Sequence, residues 1–150
     1  MKKALPPKQG FTLVELLIVI TIIAILTIIG IVNYSSFNRS ARDAKRQSDL
    51  KIIQSALEAY HADKIYYPAS IPSVGQFAAG NKIYLNEVPE DPLKPRQFYH
   101  YVAKDDTGSS CTGDSCTKYC LYAKLEDRVP DSDDGCSPSD PSYNYGVTRP

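Results

Sequence analysis

An uninterrupted apolar stretch near the N-terminus constrains this chain more than any other feature. It runs from Phe11 to Val32, 22 residues in which Glu15 is the only charged side chain. At about 1.5 Å per residue, a helix of this length would span about 33 Å, close to the hydrocarbon thickness of a bilayer. A charged side chain in hydrocarbon costs about 2.5–3.5 kcal/mol or more. Glu15 is therefore expected to have a partner or a function.

The charges that precede the apolar stretch orient the chain. Lys2, Lys3 and Lys8 come before it, and no acidic residue does, so the positive-inside rule predicts a cytoplasmic N-terminus and an extracytoplasmic remainder. A secretory signal peptide would have a shorter apolar core and a small-x-small cleavage site, and the sequence has neither. An uncleaved signal anchor fits the length of the stretch, but it does not explain Glu15.

The residues around Glu15 form a recognisable motif. Gly10-Phe11-Thr12-Leu13-Val14-Glu15, after a basic leader and before the apolar stretch, resembles the class III signal of the type IV pilin superfamily, which includes the type II secretion pseudopilins. The resemblance implies that prepilin peptidase cuts between Gly10 and Phe11 and methylates the new amine of Phe11. It also implies that Glu15 is the assembly acid. Pairing with the Phe11 ammonium of a neighbouring subunit would relieve the desolvation of both charges in one axial register.

The pattern beyond the apolar stretch predicts a longer helix followed by a head. No Pro or Gly occurs from residue 33 to residue 63, and apolar residues recur at helical spacing, best between Leu50 and Tyr60. The helix should end near Lys64, because Pro68 follows shortly afterwards. The predicted organisation is a cleaved leader, a transmembrane and filament-core half of the helix, an amphipathic half, and a small globular head, with boundaries at 1–10, 11–32, 33–64 and 65–150.

The head should contain a small antiparallel sheet. Residues 68–97 are predicted to form a Pro-rich connection with one helical turn near residues 81–86, and the Val88–Pro92 stretch resembles the one that major pseudopilins carry after their helix. Strands are predicted at 98–103, 118–126 and 143–147, the first two as a hairpin. Because so small a sheet is marginal alone, the apolar stripe of the helix should cover it. The predicted fold class is α+β and pilin-like, a long N-terminal helix packed against this sheet.

All four cysteines lie in the C-terminal part of the chain, at Cys111, Cys116, Cys120 and Cys136. An even number in an extracytoplasmic protein favours disulfides. A zinc site is disfavoured because the spacing lacks paired C-x2-C motifs. Three pairings are possible, and we favour Cys111 with Cys116 and Cys120 with Cys136 because each closes a local loop.

Two charged clusters are candidate binding surfaces. An acidic cluster could hold calcium, as the heads of major pseudopilins do, although its spacing is not that of an EF-hand and a solvated acidic loop is the alternative; it comprises Asp127, Asp131, Asp133 and Asp134. A basic run from Arg39 to Arg46 could meet lipid headgroups or the acidic faces of neighbouring subunits, or could be a solvated helix face.

Together these features predict a structural subunit of a type IV pilus-like or type II secretion pseudopilus-like filament. The resemblance implies four kinds of partner, namely other filament subunits, prepilin peptidase, the inner-membrane assembly machinery, and membrane lipid before assembly. It implies a single-pass protein of the cytoplasmic membrane that later joins a filament in the periplasm or at the cell surface. The sequence predicts no enzyme, no nucleic-acid binding, and no cofactor apart from possible calcium. The alternative is a membrane-anchored extracytoplasmic binding module whose acidic loop would be functional.

Overall fold

One long helix and five short strands make up the regular structure of the described residues. The computed structural model describes residues 10–127, 136 and 142–149. The elements are α1 Leu13–Lys64, β1 Phe77–Ala79, β2 Lys82–Leu85, β3 His100–Lys104, β4 Lys118–Ala123 and β5 Tyr145–Val147. The chain divides into an N-terminal unit, Met1–Asn38, and a C-terminal unit, Arg39–Pro150.

The helix α1 ends at Lys64, where the sequence predicted its end. The next residue, Ile65, has a φ of 67°, and its N–H donates to the carbonyl of His61 at 2.7 Å. This is the left-handed conformation that usually closes a helix on Gly or Asn. A β-branched residue is strained there, so the helix ends on an unfavourable residue.

The helical turn predicted near residues 81–86 is wrong, because β2 occupies that position. Strands β1 and β2 form an antiparallel hairpin in which Ala79 is opposite Lys82. Gly80 has a φ of 61° and starts the two-residue turn with Asn81. A Gly-led turn between two short apolar segments is a local hairpin signal, and it accounts for a hairpin in place of the helical turn.

The predicted hairpin of the main sheet is confirmed. Strands β3 and β4 pair antiparallel, from His100 opposite Tyr122 to Lys104 opposite Lys118. The third predicted strand is present as β5, which pairs antiparallel with β4 and gives the order β3-β4-β5. The strands are shorter than the predicted segments 98–103, 118–126 and 143–147.

Both faces of β4 are buried, each in a different cluster. Tyr119, Leu121 and Ala123 join the main core with the helix stripe, which comprises Leu50, Ile53, Ala56, Leu57 and Tyr60. Cys120 and Tyr122 point the other way and pack with Cys136, in what we call the outer cluster. The helix stripe therefore covers one face of the sheet as predicted, and the α+β, pilin-like fold class is confirmed.

The N-terminal unit contains the first part of α1, and the large apolar side chains that the structure describes there are exposed in the single chain. The exposed fraction ranges from 43% at Val19 to 85% at Leu13, and Phe37 near the end of the unit is 73% exposed. Among the described residues, no helix is both long and apolar enough to cross a membrane. The membrane-spanning role of residues 11–32 stays a prediction.

Candidate processing and assembly site

The motif that contains Glu15 forms the beginning of α1. Thr12 precedes the first helical residue, and its N–H and hydroxyl both donate to Glu15 Oε2, at 3.0 and 2.7 Å. In return, the N–H of Glu15 donates to Thr12 Oγ1 at 3.2 Å. This reciprocal arrangement is a capping box, which satisfies backbone donors that the first turn leaves unpaired. In the single chain, then, Glu15 caps its own helix.

The residues on either side of the predicted cleavage point are accessible. Phe11 is 76% exposed, and Gly10 is exposed as well. A Cβ added at Gly10 would meet no atom within 4 Å. The packing of the described residues therefore does not require a glycine here, and the peptide bond is open to another protein.

The cysteines form two disulfides, and these are the two pairs favoured from loop closure. Cys111 bonds Cys116, with their Cα atoms 5.3 Å apart, and Cys120 bonds Cys136, at 5.5 Å. The second bond lies in the outer cluster, where it connects the β4 strand to the chain that leads into β5.

The proposed calcium ligands lie largely outside the described residues. Asp131, Asp133 and Asp134 are among the residues that the structure does not describe. Asp127 is described, and its carboxylate lies 3.8 Å from Arg39 Nη1. In the described part of the chain, no three metal-ligating side chains come together. Calcium binding by this cluster stays a prediction.

A buried arginine in α1 is the centre of a charge network. The side chain of Arg46 is fully buried. Its Nε donates to Asp91 Oδ2 at 2.7 Å, and its Nη1 donates to Asp43 Oδ1 at 2.7 Å and to Glu126 Oε1 at 2.9 Å. Arg42 donates to both carboxylate oxygens of Glu126, at 2.7 and 2.6 Å. We call these residues the Arg46 network.

The Arg46 network connects the helix to two segments that are distant in the sequence. Its bond to Asp91 holds the Val88–Pro92 stretch. Asp43 accepts hydrogen bonds from the backbone N–H groups of Glu126 and Asp127, each at 3.0 Å. The hydrogen bonds from Arg42, with further help from Arg46, lower the pKa of Glu126 to about 2 despite its partial burial. The network thus holds Glu126 ionised and fixes the start of the acidic cluster.

This network was not predicted from the sequence. The basic run from Arg39 to Arg46 was interpreted there as a binding surface or a solvated helix face. Arg39, Arg42, Lys45 and Arg46 each lie within 4.0 Å of an acidic side chain of the same chain. A signal was present in the spacing. Asp43 and Arg46 continue the buried stripe of Leu50, Ile53 and Leu57 toward the N-terminus in steps of three and four. A charged residue on that face must be paired when it is buried.

Comparisons with known proteins bear on the N-terminal motif and on the whole chain. The family model described as the prokaryotic N-terminal methylation motif matches residues 5–31, which include Gly10, Phe11 and Glu15. Type II secretion system core protein G of Escherichia coli (strain K12) is 31% identical over 142 residues, which cover 81% of this chain and 98% of that protein. No solved structure matches the chain.

Proposed function

The chain belongs to the type IV pilin and type II secretion pseudopilin superfamily, and we propose that it is a structural subunit cut by prepilin peptidase and added to a filament. The observation that carries this proposal is the methylation motif over residues 5–31. In this proposal, the peptidase cuts between Gly10 and Phe11 and methylates Phe11. The absence of any packing reason for Gly10 in the described residues supports a glycine kept for processing.

The exposed apolar side chains of the N-terminal unit support both a membrane-bound and an assembled state. Large apolar side chains exposed to this degree mark a surface that contacts a membrane or another protein. We propose that the cytoplasmic membrane covers this surface before assembly, with the N-terminus inside, and that neighbouring helices cover it in the filament. The membrane part of the proposal depends on the motif and on these side chains.

Glu15 is proposed to exchange partners during assembly. Cleavage would create an ammonium group on Phe11, one residue before Thr12, which forms the capping box with Glu15 in the single chain. We propose that Glu15 of an incoming subunit then pairs with the Phe11 ammonium of its neighbour. As in other buried ion pairs, the main benefit would be a unique axial register.

Mass spectrometry of the N-terminus tests the processing step. The expected product from cells that contain the peptidase begins at Phe11 and carries one added methyl group. Gly10→Val serves as the control, because the added side chain has open space while the cleavage site is altered, so this variant should keep its leader. An intact Met1 in the wild-type protein, or a cut beyond Val32, would overturn the proposal.

Substitutions of Glu15 separate capping from assembly. Glu15→Gln keeps a side chain that completes a capping box but removes the charge, whereas Glu15→Leu removes both. We expect both variants to be cleaved and to enter sheared filaments about tenfold less than wild type when no wild-type copy is present. Thr21→Leu is the matched control, since the Thr21 hydroxyl donates to the carbonyl of Ile18 in its own helix and the variant should assemble normally. Normal incorporation of Glu15→Gln would overturn the ion-pair proposal while leaving the cleavage proposal intact.

We further propose that the filament is a type II secretion pseudopilus, because the similar Escherichia coli protein is a type II secretion core protein. Cells that lack this chain should retain in the periplasm the enzymes they normally secrete, and expression of the wild-type chain should restore secretion. Unchanged secretion together with loss of a surface filament would instead assign the chain to a pilus.

A further inference from the structure

A groove on the C-terminal unit gathers three basic residues from separate segments. The groove has a volume of about 430 Å³ and is lined by Lys104 of β3, Lys118 of β4 and Arg149 after β5. Cys120 and Cys136 also line it, and Lys118 shares a face of β4 with Cys120 by strand alternation. Lys104, the register partner of Lys118, lies on that same face. The main-core residue Tyr119 lines the groove as well, so the groove lies at the end of the sheet.

Two of these cations oppose each other directly. Lys104 and Lys118 are register partners in the β3–β4 ladder, and like charges in such positions are destabilising. Lys118 Nζ donates to the backbone carbonyl of Asp106 at 3.2 Å. The carboxylate of Asp106 is engaged by Thr117, whose hydroxyl donates to it at 2.7 Å. Folding of the described residues therefore gains no ion pair from placing these two lysines together.

The described basic residues of the C-terminal unit fall into two groups. Six of them lie within 4.0 Å of an acidic side chain, namely Arg39, Arg42, Lys45, Arg46, Lys82 and Lys94. Seven have no such partner among the described residues, namely Lys51, Lys64, Arg96, Lys104, Lys118, Lys124 and Arg149, and three of these seven line the same groove. Isolated exposed lysines such as Lys51 and Lys124 are ordinary solvated side chains, but three cations around one cavity form a local positive field.

We propose that this groove binds a phosphate group. Its three cations and the one carboxylate of Asp106 give a formal charge of 3 − 1 = +2, and a phosphate monoester carries about −1.5 to −2 near neutral pH. Arginine can bind two phosphate oxygens at once, while lysine ammonium groups act as point charges beside the others. The phosphate would separate Lys104 from Lys118 and remove their repulsion. The site concerns the C-terminal unit alone and does not depend on filament assembly.

Titration of the full chain with inorganic phosphate in a neutral detergent tests the site. The amide resonances of β3, β4 and residues 142–149 should shift with saturable binding. In Lys104→Gln/Lys118→Gln, binding should weaken at least about tenfold. Lys51→Gln/Lys124→Gln removes the same two charges from exposed positions and should bind about as well as wild type. No saturable shift in wild type, or an equal loss in the two double variants, would overturn the proposal.

A second titration distinguishes the source of the phosphate. Glycerol phosphate presents the headgroup chemistry of a lipid, and sodium sulfate tests whether any divalent oxyanion is enough. Tighter binding of glycerol phosphate than of inorganic phosphate would support a lipid headgroup, and the reverse order would support free phosphate. If sulfate bound as tightly as both, the selectivity for phosphate would be overturned.

Discussion

The N-terminal and C-terminal parts of α1 differ in the burial of their leucines and in the bonding of their charged residues. In the N-terminal unit, Leu17 is 60% exposed and Glu15 bonds to Thr12, three residues earlier in the same turn. In the C-terminal unit, Leu57 is fully buried and Arg46 is held by three acidic residues. In one helix, therefore, the apolar stripe of the C-terminal part is buried by the rest of the chain. The described apolar side chains of the N-terminal part are exposed. This contrast supports the proposal that the C-terminal unit provides the stability of the fold and that the N-terminal unit contacts other molecules.

The largest expected effect comes from removing the centre of the Arg46 network. Arg46→Met should lower the free energy of unfolding by about 3–5 kcal/mol, because it leaves buried carboxylates without their cation. Arg39→Met is the control, since its partner lies at 3.8 Å and its side chain is 55% exposed, and it should cost no more than about 1 kcal/mol. Urea unfolding of the oxidised chain measures both values. Equal losses would mean that the network adds little to the C-terminal unit.

The same leucine substitution in both units tests the comparison directly. Leu57→Ala should cost about 2–5 kcal/mol of unfolding free energy, because it opens a cavity in the main core. Leu17→Ala should change the unfolding free energy by about 0.5 kcal/mol or less in detergent, since no part of the described chain packs over it. Thermal unfolding followed by near-ultraviolet circular dichroism, which reports on the tyrosines of the C-terminal unit, would measure both. A large loss for Leu17→Ala would contradict the division of roles.

Acid should weaken the C-terminal unit through Glu126. Its pKa is lowered from 4.5 to about 2 by hydrogen bonds from Arg42 and then Arg46, so its stabilisation is complete above about pH 4.5 and is lost as the pH falls toward 2. Glu126 is partly exposed, so we expect at most about 2 kcal/mol from this residue. The midpoint of thermal unfolding, measured from pH 7 to pH 2, should fall less steeply below pH 4.5 in Glu126→Gln than in wild type. Parallel curves would show that another group dominates the acid response.

The smallest expected effect concerns the end of α1. Ile65→Gly should raise the free energy of unfolding by about 1 kcal/mol, because glycine adopts the positive φ of 67° without a side-chain clash and Ile65 is 82% exposed. Ile52→Gly places the same change inside the helix, where it should destabilise by about 1 kcal/mol. Urea unfolding distinguishes the signs. A loss of stability in Ile65→Gly would mean that the isoleucine side chain makes a contact that outweighs its strain.

Local patterns were sufficient for most of the fold. The spacing of apolar residues predicted α1 to Lys64, and strand alternation predicted the β3–β4 hairpin. The short loops between cysteines favoured the disulfide pairs that the structure contains. Each of these predictions depends on residues that are near one another in sequence, where backbone geometry determines which side chains can meet.

Two predictions failed, one within a local hairpin and one between residues far apart in the sequence. A helical turn was predicted where Phe77 and Leu85 pair across a hairpin, since a short apolar segment fits either structure until it packs. The basic run was read as a surface because the partners of Arg46 are far away in the sequence, Asp91 by 45 residues and Glu126 by 80.

By itself, then, the sequence determined the N-terminal methylation motif, the long helix and the strands of the main sheet, because these are encoded in local composition and periodicity. Only the tertiary structure decided which charged side chains form ion pairs and which lie together at the groove. It buried Arg46 among acids from three segments and brought Lys104, Lys118 and Arg149 to one groove. The physical reason is that a charge interacts with whatever the folded chain places within a few ångströms of it, and sequence distance does not report that.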